Sequence, residues 1–155
     1  MIKEKMSPLD YEKLKVFLGK FIDWYWLTSG MPPEVHPLFV LSATEKASLA
    51  NAKSGLQTAL NDIVEDTANW SPEAVAHADA RFAAAGTFTL TVIRRRYSKK
   101  YLQILKRGEI RSEADYYLLK GILDGGGIEP GATEAAQIQK MLDEFEVKIM
   151  QKAAK

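Results

Sequence analysis

The sequence contains no cysteine. It can therefore form no disulfide, thiolate zinc site, iron–sulfur cluster or cysteine nucleophile, and the absence fits a reducing compartment. Uninterrupted apolar runs are short: none approaches the roughly 18 residues that a membrane span needs, and Lys3, Glu4 and Lys5 precede the first apolar stretch. We therefore expect a cytoplasmic protein with no membrane partner.

An excess of charge of one sign is also missing. The 21 Lys and Arg residues stand against 20 Asp and Glu residues, which gives a formal net charge of +1. This balance speaks against a strongly basic nucleic-acid-binding protein and against an acidic disordered tail. With 155 residues, 46% of them hydrophobic, the chain suits one compact domain over residues 1–155.

Apolar residues recur at three- and four-residue spacing along most of the chain, which predicts helices. Most of the predicted helices begin at a capping serine or threonine and end near glycine or proline. The predicted starts are Ser7, Ser42, Ser71, Ser112 and Thr133, and a further helix begins within residues 87–93 and continues to Gly108. About six helices joined by short polar connections predict an all-α, single-domain bundle.

Three details of these helices carry expectations of their own. Gly55 lies within the second helix, which should bend there or have a neighbour packed closely against it. The third helix is rich in alanine, which suits close packing inside the fold or against a second copy of the chain. The sequence therefore leaves a homo-oligomer as an alternative. The inward stripe of the last helix should run from Ile138 to Ile149.

Two segments leave a strand as an alternative to helix. Phe88, Leu90 and Val92 alternate with threonines within residues 87–93, as in a β-strand. The only other extended candidate, residues 35–41, is interrupted by Pro37. A short β-ribbon near 35–41 and 87–93 is therefore the alternative, and we prefer helix because the apolar spacing continues to Tyr101 and Gly108.

Residues 94–111 form a basic block with 8 basic and 1 acidic side chains, whereas the segments on either side are acidic. At about 100° per residue, five side chains fall on the helix side opposite Leu90 and Tyr101. These are Arg95, Arg96, Lys99, Lys106 and Arg107. The face is either solvated and paired with acidic neighbours, or a docking surface for an acidic protein or a phosphate backbone.

Arg94 differs from its basic neighbours because it falls beside the apolar stripe of the same helix. An unpaired buried charge would be prohibitive. We therefore expect a carboxylate or the carbonyl of a helix C-terminus within hydrogen-bonding distance of its guanidinium.

The loop after the first helix contributes two further candidates. Trp26 cannot share the core face with Tyr25, so it is either covered by the loop of residues 28–41 or exposed as an interface anchor. His36 lies between prolines of that loop, where a histidine is more often a structural hydrogen-bonding group than a base. Long irregular loops are often functional, so both residues join the candidate binding site.

No motif predicts a cofactor or a metal. Glu73 and His77 have the i,i+4 spacing of a surface pair and lack the second Glu and His of a dimetal site. The glycines from Gly126 to Gly131 have phosphate-loop spacing, but Ala132 stands where that loop needs lysine. A helix-turn-helix is disfavoured because the helix after Ser112 presents acidic residues. An enzyme would have to use scattered groups such as Glu65, Asp66, Glu73 and His77.

Residues 94–123 resemble small bacterial helical proteins without assigned activity, some of them of the toxin-neutralising immunity type. The residues of the resemblance are Arg94, Tyr97, Tyr101, Ile104, Leu105, Lys106, Arg107, Gly108, Ile110, Arg111, Tyr116, Tyr117, Leu118 and Leu123. It covers about a fifth of the chain, contains no catalytic signature and implies a non-enzymatic protein with a partner.

The sequence thus favours a non-enzymatic bacterial binding module, an adaptor or immunity-like protein, that docks an acidic protein through the basic helix face and the aromatic loop. Steric occlusion with electrostatic steering would be its mechanism. The alternative is a nucleic-acid-binding accessory protein that uses the same face for phosphates.

Overall fold

The computed structural model describes residues 6–26, 32–126, 128 and 132–153. Within these residues the chain forms eight α-helices and a short 3₁₀ turn, Pro33–Val35, with no strand. The helices are α1 (Pro8–Tyr25), α2 (Pro37–Ala47), α3 (Leu49–Asp66), α4 (Pro72–Ala84), α5 (Leu90–Tyr97), α6 (Lys99–Arg107), α7 (Glu113–Asp124) and α8 (Thr133–Ala153). The all-α prediction is confirmed.

Serine caps lie where the sequence places them at three helix starts. Ser7, Ser71 and Ser112 each accept a hydrogen bond, 3.1 Å long, from the backbone amide three residues further on. At the other end of α6, Gly108 has the left-handed conformation (φ 78°) that only glycine adopts without strain. Local capping chemistry therefore fixes these boundaries.

The count of about six helices is wrong because two predicted helices are each broken at a serine. Ser48 ends α2 and caps α3, and Ser98 ends α5 and caps α6. Both serines have extended backbone, and their hydroxyl oxygens accept from Asn51 N at 3.2 Å and Tyr101 N at 3.1 Å. Ser42 is no cap, since it lies inside α2. A serine can thus join two helices without glycine or proline.

The β-ribbon does not form in the described chain. Residues 37–47 are helical, and so is the segment from Leu90 to Tyr97. Two side chains hold the first turn of α5: Thr89 Oγ1 accepts from Val92 N at 3.2 Å, and Asp79 Oδ1 accepts from Thr91 N at 3.0 Å. These caps satisfy amides that a strand would need a partner strand to satisfy.

The buried side chains form two clusters. The N-terminal core joins α1 to α5, and the C-terminal core joins α6, α7 and α8. The N-terminal core contains Tyr11, Leu14, Phe17, Leu18, Phe21, Ile22, Leu41, Ala52, Leu56, Leu60, Ile63, Val64, Ala78, Phe82, Leu90 and Ile93. The C-terminal core contains Tyr101, Ile104, Leu105, Ile110, Leu119, Ile122, Ile128, Ile138, Met141 and Leu142. Contacts of α5 with α7 link the two cores.

Arg94 belongs to α5, and its side chain reaches the C-terminal end of α3. The residue is 8% exposed. Its Nη2 donates to the carbonyl oxygen of Thr67, and to Thr67 Oγ1 at 3.0 Å. Thr67 is the C-cap residue of α3, so the predicted helix C-terminal carbonyl is confirmed. Burial lowers the pKa of Arg94, and the nearby Asp79 carboxylate opposes that shift.

Of the two alternatives for Gly55, the closely packed neighbour is wrong, because nothing lies within 4 Å of the position that a Cβ on Gly55 would occupy. The bend stays a prediction. The expected inward stripe of the last helix is wrong at its final residue. Ile149 is 43% exposed, because the last turns of α8 extend past the C-terminal core, whose α8 members are Ile138, Met141 and Leu142. In the alanine-rich helix α4, Ala78 packs inside the N-terminal core.

Candidate functional site

The five predicted site cations lie on two helices, so they do not share one face of a single helix. Arg95 and Arg96 belong to α5, whereas Lys99, Lys106 and Arg107 belong to α6. The break at Ser98 separates the two groups. The surroundings of the two groups differ.

Arg95 is a clamp between helices. Its Nε donates to Glu134 Oε2 at 3.0 Å and its Nη2 to Glu134 Oε1 at 3.2 Å, which is a bidentate pair. The hydroxyl of Tyr101 donates to the same Glu134 Oε2 at 2.6 Å. Burial and the hydrogen bond to Glu134 raise the pKa of Tyr101. Burial of Glu134 acts to raise its pKa, but the bonds from Arg95 and Tyr101 outweigh burial and lower it.

Arg96 clamps α5 to the first turn of α1. Its Nη2 donates to Asp10 Oδ2 at 3.1 Å, and only 14% of the Arg96 side chain is exposed. The guanidinium also lies 5.3 Å from the ring centroid of Phe88 and 5.9 Å from that of Tyr97, within cation–π range. The hydrogen bond and the cation–π contacts of the Arg96 guanidinium are therefore made within the fold.

Arg107 belongs partly to the fold and partly to the surface. Its Nη2 donates to Asp115 Oδ2 at 2.9 Å, and 28% of its side chain is exposed. Asp115 is only 4% exposed; it also accepts from Arg111 N at 3.3 Å and lies 3.6 Å from Lys100 Nζ. Burial acts to raise the pKa of Asp115, but these donors and charges lower it. One buried carboxylate therefore pairs with cations from both ends of α6, Lys100 and Arg107.

Lys99 and Lys106 are exposed and have no hydrogen bond or ion pair with the described part of the chain. They are seven residues apart on α6, so they share a side, with Cα atoms about 10 Å apart. Lys100 and Arg107 flank them, and the opposite side of α6 buries Tyr101, Ile104 and Leu105. We call Lys99, Lys100, Lys106 and Arg107 the α6 cationic face.

The two candidates of the loop after α1 lie on other elements. Trp26 packs half-buried against the N-terminal core, with its ring edge-on to Phe21 at 5.4 Å between centroids. Residues 28–31 of the predicted covering loop lie outside the described residues. His36 is the N-cap of α2, and its Nδ1 accepts from Leu38 N at 3.1 Å. Neither residue is part of the α6 cationic face.

The scattered polar groups of the enzyme hypothesis are all on the surface. Glu65, Asp66, Glu73 and His77 are exposed. Among the described residues, no three His, Asp or Glu side chains are placed to hold a metal ion. The glycines with phosphate-loop spacing include Gly126, but residues 127 and 129–131 lie outside the described chain.

Sequence reasoning missed the acidic partners of the basic block. Asp10 is 86 residues from Arg96 and Glu134 is 39 residues from Arg95, so no local spacing connects them. The spacing of Asp115 in the sequence relates it only to the capping Ser112, three residues before it. The solvated-face alternative did predict acidic neighbours, and for Arg95, Arg96 and Arg107 such neighbours are present.

A scan against protein-family models and searches of curated proteins and of solved structures found no match. None of the helices in the described ranges is both long and apolar enough to cross a membrane.

Proposed function

We propose that this protein is a non-enzymatic binding module that docks an acidic protein partner through the α6 cationic face. The observation that carries the proposal is the contrast within the basic block. Arg95 and Arg96 pair with Glu134 and Asp10, whereas Lys99 and Lys106 are exposed and have no partner in the described chain.

The spacing of the lysines defines what a partner needs. Side chains seven residues apart on a helix can meet two carboxylates about 10 Å apart, which is the i,i+7 spacing of an acidic helix. Each exposed pair contributes about 0.2–1 kcal/mol, so the face mainly accelerates and orients association. Arg107 would add a guanidinium that Asp115 already holds in place.

In this proposal the protein acts by occupying a surface of its partner. Complementary charge steers the encounter, and α6, packed against α7, then covers the partner's acidic surface. Arg95 and Arg96 contribute by holding α5 against α8 and α1, and so act on binding only through the fold.

The double variant Lys99→Glu/Lys106→Glu tests the proposal. We expect at least a tenfold loss of affinity for the protein that a tagged copy retains in stoichiometric amount after nuclease treatment, with helicity and melting temperature unchanged. The matched control is Lys13→Glu/Lys46→Glu, which reverses two exposed lysines of α1 and α2. We expect this control to bind like the wild type.

Two results would overturn the proposal. One is equal binding by the α6 variant and the control. The other is recovery that nuclease abolishes and that falls steeply with salt, which would assign the face to phosphate backbones instead.

A further inference from the structure

Helix α2 is attached to the rest of the fold by few buried groups. Of its 11 residues only Leu41 is buried, while Phe39 is 53% and Val40 50% exposed. A helix this short is marginal in water unless tertiary contacts and caps hold it. The two ends of α2 therefore add to the stability that its packing against α3 provides.

The C-terminal end of α2 is held by an ionised carboxylate. Glu45 accepts from Lys15 Nζ at 2.8 Å and from the Tyr11 hydroxyl at 2.7 Å, both on α1. These hydrogen bonds, that of Lys15 first, lower the pKa of Glu45. The contact therefore persists when the pH falls from neutral to mildly acidic values.

The N-terminal end of α2 is held by a neutral imidazole. His36 Nδ1 accepts from Leu38 N at 3.1 Å, and Pro37 at the first helical position has no amide to offer. The capped turn also places the Leu38 side chain against Gly19 of α1, so closely that a Cβ there would lie 2.9 Å from Leu38 Cδ1. The cap thus fixes both the first turn of α2 and its contact with α1.

We infer that protonation of His36 opens the N-terminal turn of α2, which makes this helix a pH-sensitive element of the fold. An imidazolium carries hydrogen on both ring nitrogens, so its Nδ1 cannot accept from Leu38 N. Its positive charge would also lie at the positive end of the helix dipole. Both effects act in the same direction, while Glu45 keeps the other end attached.

Only an imidazole without hydrogen on Nδ1 can accept from Leu38 N, so the first turn of α2 is more stable when His36 is neutral than when it is protonated.

Among the described residues, no charged side chain pairs with the His36 imidazole. The 3₁₀ turn, α1 and α3 pack against α2. Their charged groups are Glu34 on the turn, Asp10, Glu12, Lys13, Lys15, Lys20 and Asp23 on α1, and Lys53, Asp62, Glu65 and Asp66 on α3. In the described chain none of them forms a hydrogen bond or an ion pair with the imidazole. The inference is independent of the proposed function, since it concerns neither α6 nor a partner.

The test is hydrogen exchange of the Leu38 and Leu41 amides at pH 5 and pH 7.5, expressed as protection relative to intrinsic exchange. In the wild type we expect protection to fall roughly fivefold at pH 5, the factor that a typical cap represents. In His36→Asn it should be the same at both pH values, because the asparagine oxygen caps without titrating.

The only other histidine, His77, is exposed on α4 and supplies the control. His77→Asn should retain the full pH dependence of the wild type. His36→Ala should show low protection at both pH values; if it does not fold, the comparison of the wild type with His36→Asn still decides. Equal pH dependence in the wild type and His36→Asn would overturn the inference.

Discussion

The N-terminal core buries Phe17, Phe21 and Phe82, whereas the buried aromatic side chain of the C-terminal core is Tyr101. In the N-terminal core the rings touch one another: Phe82 lies 4.6 Å from Phe17 and 5.0 Å from Trp24 between centroids. Large aromatic groups bury much apolar area per residue and pair favourably with one another. Apolar packing therefore carries most of this region.

The C-terminal core is smaller and mostly aliphatic, and ionised side chains join its helices. Asp115 of α7 holds Arg107 of α6, and Glu134 of α8 holds Arg95 and Tyr101. In the C-terminal region, a small apolar core is thus accompanied by ionised contacts between helices. The N-terminal region should thus be most sensitive to loss of rings, and the C-terminal region to loss of charge.

The largest expected effect is that of Phe82→Ala. Phe82 is fully buried, and its removal leaves a cavity among rings, for which we expect a loss of about 3–5 kcal/mol in the free energy of unfolding. Urea denaturation measures it. Tryptophan fluorescence reports on the N-terminal region, because Trp24, Trp26 and Trp70 all pack against that core, and circular dichroism reports on both regions.

Phe39→Ala is the control for this variant. It removes the same ring from a site that is 53% exposed, so the change should stay within about 0.5 kcal/mol. Similar losses in the two variants would show that the buried rings do not carry the N-terminal region.

A smaller effect is expected from Asp115→Asn in the C-terminal region. The amide cannot balance the charges of Arg107 and Lys100. Breaking a fully buried pair costs about 3–5 kcal/mol, but 61% of the Lys100 side chain is exposed and water can solvate it, so we expect about 2 kcal/mol. Urea denaturation at pH 7 measures it, with the exposed Asp143→Asn as the control.

The effect of Asp115→Asn should depend on pH. Because the native pKa of Asp115 is lowered, the native state binds fewer protons than the unfolded chain just below the usual carboxyl range. The contribution of this carboxylate is therefore full above about pH 4 and lost at lower pH. Wild type and variant should converge in stability in acid, and a difference that persists there would exclude ionisation as its source.

The sequence predicted what local chemistry decides. The caps Ser7, Ser71 and Ser112 and the C-terminal glycine of α6 lie where the pattern placed them, and the partner of Arg94 is of the predicted kind. The cap predicted at Ser42 is wrong. The breaks at Ser48 and Ser98 were missed because the apolar spacing continues across each serine. In the sequence, a serine within a run of helical apolar spacing looks the same whether the helix continues through it or ends there. Tertiary packing selects between these two outcomes.

The candidate site could be predicted only in part. The basic block is visible in the sequence, but its division into clamping arginines and free lysines depends on carboxylates that the fold brings from α1 and α8. The prediction assumed a single long helix, on which all five cations share one face. The chain instead has a break at Ser98, so the cations belong to two helices. Long-range charge pairing has no periodic signature.

The smallest change in the free energy of unfolding is expected from replacing a helical glycine by alanine, and it should be similar in the two regions. Gly55 in α3 and Gly121 in α7 lie inside helices, and nothing is within 4 Å of a Cβ at either position. Alanine there should raise the free energy of unfolding by about 0.5–1 kcal/mol in both regions, since the gain comes from backbone entropy and not from either core.

Gly125→Ala is the matched contrast at the junction of α5 and α7. A Cβ there would lie 2.8 Å from both Thr91 Oγ1 and Gly121 O, so this alanine should destabilise the protein. The melting temperatures of the three glycine variants, measured by thermal denaturation, rank their stabilities. If Gly55→Ala stabilises the protein and Gly121→Ala does not, then the two regions differ in helix strain as well as in core chemistry, because both sites are equally open to the added methyl group.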